Sequence, residues 1–179
     1  LIKGTTMKLK NIYLTAALTL FSSSALANPY ISANIGNTDF EGVSSSSFSF
    51  AGGYKLNEQF AFEITYKDLG SFNEDAGNGV DVDIDVDGLG AYFVGKMPVT
   101  DKVDFFGKIG MVAWEIEGSA QGTPVSVVID GTDLSYGLGA SYAISDNTSL
   151  KFEMDRISAE LEGESGNVDT LSVGISFSF

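Results

Sequence analysis

The sequence predicts an all-β fold: an eight-stranded antiparallel up-and-down transmembrane β-barrel. Three observations predict it. Apolar and polar residues alternate with period two along most of the chain after residue 28, the pattern of strands and not of helices. The connections between these stretches are by turns long and short, as in a meander that crosses a membrane with both ends on one side. One face of the alternation is bulky and uncharged in four strands, and in three of these the other is mostly Ser, Gly and Ala. Small residues suit the crowded interior of a narrow barrel, and bulky apolar ones suit hydrocarbon outside it.

The elements follow in order. In Tyr30 to Gly36, Ile31, Ala33 and Ile35 share a face. In the second strand Phe48, Phe50, Tyr54 and Leu56 alternate with Ser47, Ser49, Ala51, Gly53 and Lys55, and Asn57-Glu58 turns the chain. Phe60, Phe62, Ile64 and Tyr66 then alternate with Ala61, Glu63, Thr65 and Lys67, before a loop from Gly70 to Gly79. The fourth strand, within 80–97, carries conflicting signals. Val80, Val82, Ile84 and Val86 share parity with Tyr92 and Val94, whereas Leu89, Ala91, Phe93 and Met97 have the other. Either a bulge near Gly88–Gly90 flips the face or both faces are apolar.

Pro98 to Lys102 is a short turn. The fifth strand sets Val103, Phe105, Ile109, Met111 and Ala113 against Asp104, Phe106, Lys108, Val112 and Trp114. A loop at about 117–124 precedes the sixth, where Leu134 to Ile144 alternates with Ser, Gly and Ala. Ser145-Asp146-Asn147 turns into Leu150, Phe152 and Met154, opposite Lys151, Glu153 and Asp155. After a loop from Glu160 to Asn167 comes the last strand, whose apolar face is Leu171, Val173, Ile175, Phe177 and Phe179.

Residues 7–27 read as a secretory signal: Lys8 and Lys10, an apolar run from Ile12 to Phe21, and Ala25-Leu26-Ala27 as a cleavage site. That run is too short to span a bilayer. Residues 1–6, ahead of Met7, are expected to be an overcalled start, which leaves 28–179 as the barrel domain.

The chain has 10 Lys and Arg against 24 Asp and Glu, a net charge of -14. Such a chain cannot neutralise phosphates in number, so nucleic acid is excluded as a partner. It has no Cys and no His, which removes thiolate chemistry and the commonest catalytic base; the reading is therefore not an enzyme, and no cofactor is expected.

The last strand resembles the assembly signal of the OmpA/OmpX-like small outer-membrane β-barrels of Gram-negative bacteria. Tyr136-Gly-Leu-Gly-Ala-Ser-Tyr142 followed by Leu150-Lys-Phe-Glu153 is similar to that family's strand–turn–strand before the last loop, although Met154 stands where an aromatic is expected. The resemblance covers the whole of 28–179 and lacks the peptidoglycan-binding domain of full-length OmpA. It implies an integral outer-membrane location, lipid and lipopolysaccharide as surroundings, and the barrel assembly machinery as a partner reading Leu171, Val173, Ile175, Phe177 and Phe179.

Two clusters carry chemistry. Glu63, Lys67, Lys108, Lys151, Glu153 and Asp155 fall on the small-residue face, so they are expected inside the barrel as a salt-bridged network, because buried charges must be paired. Asp81, Asp83, Asp85 and Asp87 form an acidic row. Alternating carboxylates in a strand stand about 7 Å apart, too far for all to share one ion, so they read as a solvated rim and only weakly as a metal site. Glu160, Glu162 and Glu164 read the same way. A structural or surface-interaction role of adhesion or resistance type, through four acidic extracellular loops that meet a host or surface ligand, is the expected function. A narrow ion-conducting pore and a soluble periplasmic ligand-binding barrel are the alternatives.

Overall fold

The structure is a computed structural model that describes residues 28–40, 42–75, 81–120, 126–161 and 164–179. The expectations for residues 1–6 and 7–27 lie outside the described residues. Eight strands follow one another: β1 (Pro29–Phe40), β2 (Val43–Lys55), β3 (Phe60–Asp75), β4 (Asp81–Pro98), β5 (Val103–Ala120), β6 (Ser126–Ala143), β7 (Thr148–Leu161) and β8 (Glu164–Ser178). Each pairs antiparallel with the next, and β8 returns to β1 to close the barrel. Closure leaves no strand edge unpaired, the condition for placing a sheet in lipid. Following the register once around from Tyr30 returns to β1 at Phe40, a stagger that tilts the strands against the barrel axis.

The three short turns are built by local side-chain acceptors and donors. Asn57 Oδ1 accepts from the backbone N–H of Gln59 and of Phe60, each at 2.8 Å. Thr100 Oγ1 accepts from Lys102 N–H at 3.2 Å and Val103 N–H at 3.0 Å. Asn147 Nδ2 donates to the carbonyl of Ser178 at 3.0 Å, tying the third turn to the end of β8. These are the jobs Asn and Thr do in turns.

The opposite end differs from the expectation. Stretches read as long loops are largely strand: β3 runs on to Asp75, β4 begins at Asp81, and β5 and β6 extend to Ala120 and from Ser126. β1 runs on to Phe40, and β2 already begins at Val43. Gly42 has φ 89° and donates its N–H to Asp39 Oδ1 at 3.2 Å. The physical reason is an inversion of the wall. Near the short turns the outward residues are Phe62, Phe93, Ile109 and Leu138, and the inward ones are small or polar. Further along, the outward residues become Asp68, Asp85, Glu115 and Asp130, and the inward ones become Val86, Ile116, Ile157 and Val168. Strand continues past the greasy belt, with charge outside and apolar side chains inside.

Strand four's conflict has the same origin. Its register with β5 is unbroken from Val82 to Pro98, so no bulge sits at Gly88–Gly90. The even-numbered residues described face inward: Tyr92 and Val94 fill the lumen at the level of the belt, and Val86 packs inside above it. The one irregularity lies in β3, between Asp68 and Gly70. The extra residue, Leu69, is 2% exposed and joins the interior cluster. Gly70 has φ 100°, and a Cβ there would lie 2.3 Å from Ser45 Oγ, so glycine is required on both counts.

Candidate functional site

The lumen is filled in three layers. Nearest the short turns is a polar cavity whose wall carries Lys55 and Lys96. The middle layer is ionic. Lys67 Nζ lies 2.8 Å from Asp155 Oδ2; Lys108 Nζ reaches both Asp155 Oδ1, at 3.0 Å, and Glu153. Lys151 Nζ lies 3.0 Å from Glu153 Oε2 and 4.0 Å from Glu63 Oε2. Glu63, Lys67, Lys108, Lys151, Glu153 and Asp155 are all buried, and the fold brings the six into one continuous network from β3, β5 and β7. Three ammonium groups meet three carboxylates, so the layer is neutral, which removes most of the cost of burying its charges.

Uncharged residues complete this layer. Tyr30 donates its hydroxyl to Glu63 Oε2 at 2.8 Å, and Thr65 donates to Oε1 at 3.1 Å. The Tyr92 ring lies 4.6 Å from Lys108 Nζ and 5.4 Å from Lys67 Nζ, and the Phe106 ring 5.0 Å from Lys151 Nζ. Such cation–π contacts hold ammonium groups where water is scarce. Gly137 makes the room: a Cβ there would fall 2.2 Å from Asp155 Oδ1. The signal for Tyr30 lay in its parity, shared with Ser32 and Asn34 and not with Ile31.

The third layer is apolar. Leu69, Val112, Trp114 and Ile157 are buried together, with Val86, Ile116 and Val168 against them. Trp114 is held by its indole N–H donating to Asp133 Oδ2 at 2.6 Å. An apolar layer of this kind resists the passage of water and ions.

The acidic row divides. The side chains of Asp81 and Asp83, and of Glu160, Glu162 and Glu164, lie outside the described residues. Asp85 is exposed and accepts from Ser71 Oγ at 2.5 Å, and Asp87 is buried beneath Tyr66, whose hydroxyl it accepts. Among the described residues no three acidic side chains group as a metal site. The register instead lines carboxylates up across strands: Asp68 opposite Asp87, Asp87 opposite Glu115, Glu115 opposite Asp130. All stand on the outer face just beyond the greasy belt. Like charges directly opposite are unfavourable, so this row raises the local negative field. The neighbouring exception is Arg156, whose Nε donates to Asp169 Oδ1 at 2.5 Å and whose Nη2 donates to Oδ2 at 2.6 Å. That guanidinium holds the Asp169 carboxyl below the usual carboxylate range.

Leu171, Val173, Ile175 and Phe177 face outward on β8, and Phe179 just beyond its end is exposed too, the last two rings standing edge to face at 5.1 Å. The Phe179 N–H donates to the Pro29 carbonyl at 3.1 Å, so the chain's last residue is tied to the first strand.

A closed barrel with an uncharged apolar belt outside and paired charges within is a membrane-spanning β-barrel; a soluble barrel would not leave Leu138 71% and Phe62 55% exposed. The chain belongs to the outer membrane protein beta-barrel domain family, whose profile matches residues 13–179. No curated protein matches it in sequence. Solved structures with the same fold include neisserial surface protein A, at 16% identity and TM-score 0.62 over 85% of this chain and 96% of that one. The N-terminal barrel of OprF from Pseudomonas aeruginosa is 12% identical, with TM-score 0.60, over 84% and 97%. Ail, the attachment invasion locus protein of Yersinia pestis, was solved with the heparin analogue sucrose octasulfate; it is 16% identical, with TM-score 0.58, over 85% and 97%.

Proposed function

We propose that this outer-membrane barrel is a surface-interaction protein of adhesion or resistance type, which works through the charged ribbons and hairpin tips beyond its greasy belt. In this reading residues 7–27 direct export across the inner membrane of a Gram-negative cell, and the outward face of β8 is read by the barrel assembly machinery. The short turns then face the periplasm and the ribbons rise outside, through the lipopolysaccharide. The single observation that carries the reading is the inverted wall. Strand that continues past the membrane with charge outside and its own apolar core is a rigid stalk exposed to water, and it holds the tips away from the bilayer.

The chemistry of the stalk favours a cationic partner. Its outer face carries Asp68, Asp85, Asp87, Glu115, Glu117 and Asp130 with Arg156 as the counter-charge, so a polysulfated sugar such as the sucrose octasulfate in the Ail complex meets repulsion here. The test is adherence of cells that display the protein to cultured host cells or to purified basic matrix proteins, with heparin as the comparison. Replacing residues 76–80, 121–125 and 162–163 by Gly/Ser should abolish adherence while leaving the unboiled, fast-migrating form on a detergent gel. Adherence that survives all three replacements overturns the reading. The pore alternative requires ions to cross both a neutral ionic layer and the apolar one beyond it; planar-bilayer recordings of refolded protein are expected to stay silent.

A further inference from the structure

The cavity at the short-turn mouth of the lumen has a volume of about 220 Å³. A water occupies about 30 Å³ of the liquid, so there is space for several waters, or for an oxyanion with part of its hydration shell. Its floor is the Lys151 end of the ionic layer, and its wall is hydroxyl-rich, with Ser141, Ser149, Ser176 and Ser178.

Lys55 and Lys96 set this cavity apart. They stand on either side of β3, since Lys55 is opposite Ala61 while the Lys96 N–H donates to the carbonyl of Gln59. Lys67, Lys108 and Lys151 each have a carboxylate within 4.0 Å. Among the described residues, neither Lys55 nor Lys96 has one. Lys55 Nζ donates to Ser178 Oγ at 2.8 Å, and Lys96 Nζ faces the Tyr30 ring at 5.9 Å. Asp104 and Asp146 also line the cavity but form no ion pair with either lysine, and Glu63 is engaged by Tyr30, Thr65 and Lys151. Two part-buried ammonium groups with no described carboxylate within 4.0 Å, in a polar cavity of this size, leave room for compensation by water or by a soluble anion.

We propose that this vestibule binds a phosphate-like oxyanion from the compartment on the short-turn side, with Lys55 and Lys96 as its two cations and the Ser178 hydroxyl as a neutral donor. The ligand is inorganic phosphate or the phosphoryl group of a small phosphomonoester; the plugged floor stops it from passing further. Charge-assisted hydrogen bonds to an oxyanion are the strong kind, and two ammonium groups flanking one cavity supply them.

The test uses the barrel refolded in an uncharged detergent and followed by amide NMR. Inorganic phosphate and glycerol phosphate are titrated separately, against chloride at equal ionic strength. Saturable shifts confined to Lys55, Lys96, Asn147 and Ser178, absent with chloride, are expected. Saturation by inorganic phosphate identifies the free ion as sufficient; saturation only by the ester identifies a phosphorylated solute. K55Q and K96Q should each weaken binding at least tenfold, the size of one charge-assisted hydrogen bond. K102Q, in the exposed turn outside the cavity, should leave it unchanged. Wild-type shifts that stay linear, spread over the barrel or match those with chloride overturn the proposal without any variant needing to fold. So does binding that K102Q weakens as much as K96Q does.

Discussion

The two halves of this barrel wall obey opposite rules with the same backbone. On β4, Ala91, Phe93 and Met97 look outward and Tyr92 and Val94 inward; a few residues earlier Asp85 and Asp87 look outward and Val86 inward. Nothing in the pairing changes between them, because the β4–β5 register is continuous. What changes is the medium outside. In the first half lipid accepts bulky apolar groups, and the lumen takes paired charges and small residues. In the second half water accepts carboxylates, and the lumen takes valine, isoleucine and leucine, as in any soluble barrel. Parity fixes which way a side chain points; the solvent fixes what that side chain has to be.

Breaking the ionic layer should have the largest effect. Lys108→Met leaves Glu153 and Asp155 buried with one fewer cation each, and breaking a buried pair by removing one partner costs about 3–5 kcal/mol. Urea unfolding of the barrel in lipid vesicles measures it. If the first half tolerates this change at a cost of a few tenths of a kcal/mol, its lumen is wetter than the layered arrangement requires.

The comparison between the halves is sharpened by placing one cation on each outer face. Leu138→Arg sits in the belt and should cost about 2–4 kcal/mol, the range for arginine at the bilayer midplane. Glu115→Arg, beyond the belt, should be neutral or stabilising, since it replaces a like-charge contact with Asp87 and Asp130 by an opposite one. Equal costs at the two positions would mean that both lie in one medium, and the inversion would be lost.

Much of the first half was legible from residue order alone. Alternation in Phe60 to Lys67 and in Leu134 to Ile144 states which residues share a face, and the missing charges on one face state which face meets lipid. The second half was not legible by the same rule. A reading that equates strand with a greasy outer face sees loop where an acid stands outward, as at Glu117, and it sees conflict where β4 passes from one medium to the other. The six lumen charges show the same limit. Their strand positions follow from parity, but their partners follow from the stagger of the barrel, which brings Lys67 to Asp155 across 88 positions of sequence. Tyr30 and Gly137 were hidden for a related reason: an inward tyrosine and an inward glycine matter only once the neighbour that each bonds or admits is known.

The apolar core of the second half makes a smaller, sharper prediction. Ile157→Val removes one methylene from the buried cluster and should cost about 0.5–1.5 kcal/mol. The matching change on the outer face of the same strand, Met154→Leu in the belt, should be near neutral, because lipid closes around either side chain. A fluid interior in the second half would make the two changes indistinguishable in vesicle unfolding.

The smallest effect concerns the only cation described on the outer face of the second half. Arg156 depresses the Asp169 carboxyl, so in the folded barrel Asp169 stays charged to lower pH than in the unfolded chain. The sign follows: the pair's contribution is present above the ordinary aspartate range and is lost as pH falls through the lower, folded value. Arg156→Gln should move the Asp169 titration, read from its side-chain carbon by NMR, upward toward the ordinary aspartate value, with little change in overall stability because both groups face water. If Asp169 titrated unchanged in the variant, the bidentate pair would not persist in solution, and the outer face beyond the belt would carry its acids without this local compensation.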